Sequence, residues 1–309
     1  MKKVSRRTFF SRSLGTAAAL SVAGSVSNIH ARAETANLQA QAPEIVDTNI
    51  HLFEWPFRKL KYGTTKALLD KLRKHRIAQA WAGNYEALFS KDISGVNARL
   101  ADECRVRGEG MLLPFGTVNL AWPDWEEDLR RCHEVHHMRG IRIYPIYQTF
   151  DLDHPDFGRF VQLATDRKMI IQIVGDMEDS RHHHPIVNVR EMNMAPVVDL
   201  SKKIPAATIQ LVYWNHRIPG ELMGQIVKET NVTFDTSRVE GSGEVGRLLE
   251  GRSWSGNTTA IPADRFLFGS HAPYFPVEAN LIKLFESPLS LDHMTAIMNG
   301  NARRLLQSV

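Results

Sequence analysis

The chain has 309 residues, of which 43% are hydrophobic and 23% are charged, as in an ordinary globular protein. Its formal net charge of +4 is unevenly distributed, because six of its 38 lysines and arginines lie in residues 1–33, where no acidic residue occurs. The rest of the chain carries the other basic side chains and all 34 acidic ones, so the composition excludes nucleic acid as an electrostatically selected partner.

The first 33 residues have the pattern of an export signal. Arg6 and Arg7 form a twin-arginine pattern, a short and weakly apolar stretch follows, and Ala31-Arg32-Ala33 is an A-x-A cleavage site. We therefore expect a mature chain that begins at Glu34 and is periplasmic or otherwise exported. The apolar stretch is too short and too rich in small residues for a membrane anchor, so we expect no membrane contact after cleavage. Residues 34–43 are polar and are expected to be a flexible lead-in.

From residue 44 onward, a short apolar run followed by an amphipathic stretch occurs eight times. The apolar runs are Ile45–Val46, Ile77–Trp81, Met111–Val118, Gly140–Tyr144, Met169–Val174, Thr208–Tyr213, Val232–Phe234 and Arg265–Phe268. Strands that alternate with helices indicate a parallel sheet, and eight such units in about 250 residues predict a (β/α)₈ TIM barrel. We expect one domain over 44–309. A doubly wound open sheet is the alternative, but no G-x-G-x-x-G follows a strand to support dinucleotide binding.

Individual residues are expected to define the helix ends. Thr64 or Thr65 would cap the first helix, and Ser94 the second. Near the carboxyl terminus, Gly300 would end one helix and Asn301 would cap the next. The two cysteines, Cys104 and Cys132, fall in predicted helices at a spacing that indicates no metal site, and we favour two buried thiols over a disulfide.

Four segments resemble proteins of amidohydrolase family 2. Phe268-Gly269-Ser270-His271-Ala272-Pro273 is similar to the family's Phe-Gly-Ser/Thr-Asp-x-Pro run on the last barrel strand, and Asp47-Thr48-Asn49-Ile50-His51 is similar to its Asp-x-His-x-His on the first. The segment from Gly140 to Pro145 resembles the run on the fourth strand. Gly300-Asn301-Ala302 with Arg304-Leu305-Leu306 resembles the terminal helix. The resemblance covers roughly residues 44–306 and implies the barrel fold.

The resemblance also implies a metal site whose ligands are replaced here. In the family, the two histidines of the first strand bind a divalent metal, and this chain has Asn49 and His51 at those positions. The aspartate of the last strand is His271, and the fifth strand offers Gln172 where the family usually has a histidine. We therefore expect no tightly held metal, with one zinc on His51, His271 and Asp235 as the alternative.

The carboxyl ends of the strands carry the active site in a barrel of this kind, so polar residues there are the candidates. We expect His51 or His271 to be the catalytic base and Asp235 to orient it. Candidate substrate-binding residues are Asn49, Arg142, Tyr147, Gln172, Glu178, Arg181 and Asn215.

Structural roles remain open for several of these candidates. His51 could be a hydrogen-bonded structural histidine, and Arg142 could pair with a carboxylate inside the barrel instead of an anionic ligand. Glu178 and Arg181 could pair within their own loop, and the run His182–His184 is expected to be a solvated or substrate-facing loop. Either Asn215 or the next residue, His216, could occupy the site position at the end of the sixth strand.

These residues favour an exported hydrolase that acts without metal on a small carboxylate-bearing lactone or ester, with Arg142 holding the anionic group. The alternatives are a ligand-binding barrel that has lost catalysis, and a hydrolase or decarboxylase with a rebuilt zinc site. The only partner expected is a small-molecule substrate.

Overall fold

The computed structural model describes residues 44–187, 192–214 and 218–309, which belong to one compact unit, Glu44–Val309. The expected export signal and the lead-in lie outside the described residues. The strands are β1 (Ile45–Leu52), β2 (Ile77–Asn84), β3 (Leu112–Gly116), β4 (Gly140–Ile143), β5 (Ile170–Val174), β6 (Ile209–Val212), β7 (Thr233–Asp235) and β8 (Phe266–Leu267).

The α-helices are α1 (Thr65–Lys74), α2 (Ile93–Arg107), α3 (Trp125–Glu134), α4 (Pro145–Gln148), α5 (Phe157–Asp166), α6 (Ala195–Lys203), α7 (Gly220–Glu229), α8 (Glu244–Leu249), α9 (Val277–Phe285), α10 (Leu291–Thr295) and α11 (Asn301–Gln307). Short 3₁₀ turns lie at Tyr85–Leu88, Ser180–His182 and Ala263–Arg265, and a π-helical turn spans Ala296–Gly300. None of the helices in these described ranges has the length and apolar character that a membrane crossing requires.

Each strand pairs in parallel with the next along the chain, in the order β1 to β8. The chain that follows β8 then reaches β1, where Thr48 N donates to Phe268 O at 2.8 Å and His51 N donates to Ala272 O at 3.0 Å. A parallel bridge joins Ile50 to Ala272. These bonds draw the sheet into a barrel, which confirms the predicted (β/α)₈ fold.

Hydrogen-bonded polar side chains cross the barrel interior between the strands. Arg142 Nε donates to Gln172 Oε1 at 2.7 Å, and Gln172 Nε2 donates to Gln210 Oε1 at 2.7 Å. Gln210 Nε2 then donates to Thr48 Oγ1 at 2.8 Å, and that hydroxyl donates to Phe268 O. All four side chains are fully buried, and each needs its partners because an unpaired buried polar group is costly.

Two predicted helix ends are wrong. Helix α2 begins at Ile93 and is capped by Asp92, whose carboxylate accepts from Gly95 N, so Ser94 lies inside the first turn. At the carboxyl terminus, Gly300 has helical dihedral angles and the chain continues through it into α11. Asn301 does not cap that helix, because its Nδ2 donates to the carbonyl oxygens of Ala263 and Phe266. The fold uses this amide to attach the last helix to β8.

The other helix expectations agree with the structure. The Thr64 side chain caps α1 by accepting from Ala67 N. Cys104 and Cys132 are free and buried, and burial raises the pKa of both thiols, that of Cys104 to about 12. Both cysteines therefore behave as small apolar side chains between the helices and the sheet.

Candidate active site

The end of the barrel where the strands have their carboxyl ends, here called the mouth, is rich in buried polar side chains. Asn49, His51, Arg142, Asp235 and His271 have no exposed surface. Their contacts with one another and with intervening tyrosines place them together, as the sequence predicts.

Strand β1 brings consecutive residues to the barrel interior, because its pairing register shifts between Asp47 and Ile50. Thr48 Oγ1 accepts from Gln210 on β6, and Asn49 Nδ2 donates to Asp235 Oδ2 on β7 at 2.8 Å. Thr48 and Asn49, which are adjacent in the chain, therefore both make side-chain contacts inside the barrel. A strand irregularity of this kind redirects a side chain, and here it brings Asn49 to Asp235.

Asp235 is held by its neighbours and contacts neither histidine by a hydrogen bond. Its Oδ1 accepts from Tyr213 N at 3.1 Å, and its Oδ2 accepts from Asn49 Nδ2. Burial raises the pKa of this carboxyl group. The structure therefore gives Asp235 the role of fixing Asn49 and the end of β6, and the expected orientation of a histidine by Asp235 is not found among the described residues.

His51 makes contacts through both a ring nitrogen and a face of its ring. Its Nε2 lies 3.1 Å from the Tyr144 hydroxyl and 3.2 Å from Arg142 Nη1, and its ring stacks on Tyr85 with centroids 4.5 Å apart. Burial, followed by the charge of Arg142, lowers the pKa of His51 well below its ordinary value. His51 is therefore a neutral imidazole that accepts hydrogen bonds from its neighbours.

Arg142 uses all five of its N–H groups inside the protein. Besides Gln172 and His51, its acceptors are the carbonyl oxygens of Thr48, Ile50 and Trp81. From the sequence, we expect Arg142 to pair with a carboxylate or an anionic ligand. No carboxylate of the described residues forms an ion pair with it. The guanidinium approaches so closely that a Cβ on Gly83 would lie 2.6 Å from Nη1, so only glycine fits there.

The His271 side chain is enclosed by aromatic rings at the mouth. Its backbone has φ of 59° and donates to Asn49 O, while its ring packs against Tyr274 at 4.6 Å and Tyr213 at 4.3 Å. Neither Nδ1 nor Nε2 has a partner among the described residues. Burial, followed by the charge of Arg238, lowers the pKa of His271 well below its ordinary value. A buried polar group without a partner indicates a position for a ligand or water.

The remaining candidates divide between the mouth and the surface. Glu178 is buried at the mouth, where the Tyr274 hydroxyl donates to it at 3.3 Å and burial raises its pKa. The Tyr147 hydroxyl is buried but accepts from a backbone N–H. Arg181 is exposed and pairs with Asp179 at 2.6 Å, which matches the pairing left open above.

The other predicted positions are one residue of the barrel interior, one loop histidine and two residues that the structure does not describe. Gln172 lies inside the barrel with both ends of its amide bonded to protein groups. Of the histidine run, His183 bonds Asp176 at 3.0 Å. Asn215 and His216 lie outside the described residues.

Sequence reasoning missed the tyrosines that surround the histidines. Tyr85, Tyr144 and Tyr213 are fully or almost fully buried and contact the His51 ring. Each of them directly follows an even-numbered strand: β2, β4 and β6. That repeated position was the signal in the sequence that could have found them.

The donor set does not fit a divalent metal. In the ranges that the structure describes, no group of three or more His, Cys, Asp or Glu side chains could hold an ion. The guanidinium of Arg142 lies 3.2 Å and 3.5 Å from the two ring nitrogens of His51, so a cation bound to His51 would meet a fixed positive charge. Both oxygens of Asp235 are already occupied as acceptors.

Comparison with known proteins decides the family. The family model described as "Amidohydrolase" matches residues 46–307. The chain belongs to the amidohydrolase family. No curated protein matches this amidohydrolase-family chain.

Solved structures share the fold of this amidohydrolase-family protein at low sequence identity. The 2,6-dihydroxybenzoate decarboxylase from Rhizobium has a TM-score of 0.60 and 17% identity, with 85% of this chain and 98% of that chain covered. The 5-carboxyvanillate decarboxylase from Novosphingobium aromaticivorans, with bound manganese and 3-methoxy-4-hydroxy-5-nitrobenzoic acid, has a TM-score of 0.61 and 13% identity over 86% and 98%. The IDCase from Metarhizium anisopliae has a TM-score of 0.58 and 15% identity over 86% and 97%. At these identities the likeness shows the fold.

Proposed function

We propose that this amidohydrolase-family protein is a hydrolase of small carboxylate-bearing lactones or esters that works by acid–base catalysis, with His271 as the base. The observation that carries the proposal is the buried His271 ring, whose two nitrogens have no partner among the described residues. Burial lowers the pKa of His271 and so favours the neutral imidazole, which is the form that a general base needs.

The proposed reaction needs one water and one proton carrier. A ring nitrogen of His271 takes a proton from water while the water oxygen bonds to the carbonyl carbon of the substrate. The carbon–oxygen bond to the leaving group then breaks, and the imidazolium returns the proton to the departing alkoxide oxygen. His51 is less suited to this role because Tyr144 and Arg142 already occupy its Nε2.

The charge at the mouth favours a substrate with a carboxylate. Arg142 is a buried cation without an ion pair among the described residues, while burial raises the pKa of both nearby acids, Asp235 and Asp47, the latter to about 7. The Arg142 guanidinium therefore places a positive charge in a medium of low polarity, which attracts an anionic group. Since every N–H group of Arg142 already has an acceptor in the protein, we propose that Arg142 attracts the substrate carboxylate electrostatically and does not hydrogen-bond to it.

We propose that the reaction does not use a metal. The support is the donor set, because the Arg142 guanidinium lies against His51 and the acceptor atoms of Asp235 are committed to protein donors. Metal analysis of protein purified without chelator tests this directly. One equivalent of zinc or manganese, with activity lost when it is removed and restored when it is returned, would contradict the proposal.

A decarboxylase is the second candidate. Two of the structural relatives named above are decarboxylases of aromatic acids, and the His271 ring packs against the phenol rings of Tyr213 and Tyr274. A neutral base beside flat aromatic walls also suits protonation and deprotonation of an aromatic substrate. Release of CO₂ from hydroxybenzoates, with no turnover of lactones, would favour this candidate.

The test compares two histidine variants on one panel of lactones and esters. His271 and His137 both have positive φ, which asparagine tolerates well, and His137 is exposed beyond the end of α3, so His271→Asn and His137→Asn are matched changes. We expect His271→Asn to lower kcat by about 10²–10⁴-fold, the usual contribution of a general base. His137→Asn should behave as the wild type. Equal activity of the two variants, or a wild type that binds but never turns over the panel, would contradict catalysis by His271.

We also propose export by the twin-arginine route, which the pattern Arg6-Arg7 and the site Ala31-Arg32-Ala33 support. Replacing both Arg6 and Arg7 by lysine should leave the precursor in the cytoplasm, as fractionation and immunoblotting would show. Unchanged export of that variant would contradict the route.

A further inference from the structure

Six aromatic side chains at the mouth form a closed circuit of contacts, here called the mouth ring. Each contacts the next, with ring centroids 4.3–6.4 Å apart, and the last contacts the first. In order round the circuit they are His51, Tyr85, Trp55, Tyr274, His271 and Tyr213. Aromatic walls from several strand ends fix the positions of the polar atoms that they carry.

Three polar atoms of the mouth ring are buried without a hydrogen-bond partner among the described residues. They are the two ring nitrogens of His271 and the Tyr85 hydroxyl. Burial raises the pKa of Tyr85 well above its ordinary value, so the hydroxyl keeps its proton.

The neighbouring hydrogen-bond donors already have acceptors in the protein. The Tyr213 hydroxyl donates to Asn49 Oδ1 at 2.8 Å, the Tyr144 hydroxyl lies 3.1 Å from His51 Nε2, and the Tyr274 hydroxyl donates to Glu178. The five N–H groups of Arg142 are used as well. The Tyr85 hydroxyl is thus a donor at the mouth that has no acceptor in the described part of the chain, although a buried donor needs one.

We propose that the Tyr85 hydroxyl donates the hydrogen bond that binds the carbonyl oxygen of the substrate, opposite the base His271. The ligand is a small flat molecule with a carbonyl group, which the ring faces of the mouth ring can pack against. The catalytic meaning of this bond rests on the proposed hydrolase, since the donor stabilises the oxygen as it gains negative charge. The binding of a carbonyl compound does not depend on that reaction.

The experiment uses 1-tetralone, a flat ketone that cannot be hydrolysed, labelled with ¹³C at its carbonyl. Isotope-edited infrared spectra of the ketone bound to the purified protein report directly on a hydrogen bond to the oxygen. The variants are Tyr85→Phe, which removes one hydroxyl and keeps the ring, and Tyr62→Phe, a matched control in the loop before α1. We expect a lower carbonyl frequency in the wild type and the control than in Tyr85→Phe.

Turnover and stability provide independent readouts. For hydrolysis of a carboxylate-bearing lactone from the panel, Tyr85→Phe should lower kcat by about 10²–10³-fold with a smaller change in KM, as for loss of one donor to a developing oxyanion. Its melting temperature should not fall, because the hydroxyl that is removed has no hydrogen-bond partner among the described residues. A purely structural role for Tyr85 would lower the melting temperature and leave the carbonyl frequency unchanged.

The outcomes separate this proposal from the proposed function. A frequency shift that depends on the Tyr85 hydroxyl, without turnover of any lactone, supports the donor and contradicts the hydrolase. Equal frequencies in wild type and Tyr85→Phe overturn the donor. A wild type that fails to bind 1-tetralone at millimolar concentration, or that binds it at the frequency found in an aprotic solvent, overturns it without reference to any variant.

Discussion

At the scale of single residues, the buried histidines make stability depend on pH. The pKa of both His51 and His271 is lowered in the folded protein, so their stabilising effect is present above the unfolded value of about 6.5 and is lost as the pH falls below it. Each histidine contributes a slope of up to about 1.4 kcal/mol per pH unit below pH 6.5. His271→Asn should therefore reduce the slope between pH 6.5 and 5, measured by urea unfolding.

The carboxyl group of Asp47 gives stability the opposite dependence on pH. The pKa of Asp47 is raised to about 7, so its contribution is present below the unfolded value and is lost as the pH rises through 7. Stability should therefore pass through a maximum on the acid side of neutrality.

A His271→Asn variant with the same slope as the wild type below pH 6.5 would contradict the burial of a neutral histidine.

Asn49 links the ends of neighbouring strands through its side chain. Its side chain bonds Asp235, Ser237 and the Tyr213 hydroxyl, all of them fully or almost fully buried. Asn49→Ala leaves these partners unpaired, so we expect the free energy of unfolding to fall by at least about 1–3 kcal/mol. Chemical denaturation measures this. The control Asn193→Ala, which removes a hydrogen bond at the exposed start of α6, should cost no more than about 1 kcal/mol.

At the scale of elements, the loop between β1 and α1 covers the mouth. Trp55 belongs to the mouth ring, Phe57 stacks on His184 with centroids 4.6 Å apart, and the Arg58 guanidinium lies 4.4 Å from the Tyr274 ring centroid. Because His51 and His271 have no exposed surface, a substrate reaches them only when a covering segment moves. The contacts of Phe57 and Arg58 lie at the outer edge of the mouth and are the ones that an opening motion would break first.

Weakening this loop should change the rate of ligand exchange. An exposed cation–π contact is worth about 0.5–1 kcal/mol, so Arg58→Ala should raise the dissociation rate of 1-tetralone by about two- to five-fold. Stopped-flow fluorescence of Trp55 and its neighbours would follow the exchange. Arg58→Lys retains the charge and should lie between the wild type and the alanine variant, whereas an unchanged rate in Arg58→Ala would show that another segment controls access.

At the scale of the whole molecule, the polar side chains inside the barrel help to close it. Thr48 Oγ1 accepts from Gln210 on β6 and donates to Phe268 O in the segment that follows β8. Thr48→Val keeps the shape but leaves the Gln210 donor and the Phe268 carbonyl without this hydroxyl, so we expect a loss of about 1–3 kcal/mol. Thermal unfolding compared with Thr295→Val, an exposed threonine, tests this. Equal stability of both variants would contradict a role in closure.

The sequence by itself determined the barrel and the end of it that carries the site. Eight apolar runs alternating with amphipathic stretches allow few arrangements, because each run must be buried on both faces and joined to the next by a crossover helix. Strand ends in such a fold meet on one side, so Asn49, His51, Arg142, Asp235 and His271 could be placed together before any contact was known.

Tertiary structure alone decided what those residues do for one another. The partners of Arg142 are three carbonyl oxygens, a glutamine and a histidine, from three strands, and no local pattern encodes such an acceptor set. The register shift in β1 turns Asn49 toward Asp235, which therefore does not reach a histidine. Periodicity along one strand gives the face of a side chain, but hydrogen-bond partners depend on the rotation and stagger of neighbouring strands, which form only when the barrel closes. For that reason the unpaired atoms of His271 and Tyr85 become visible only in the folded chain.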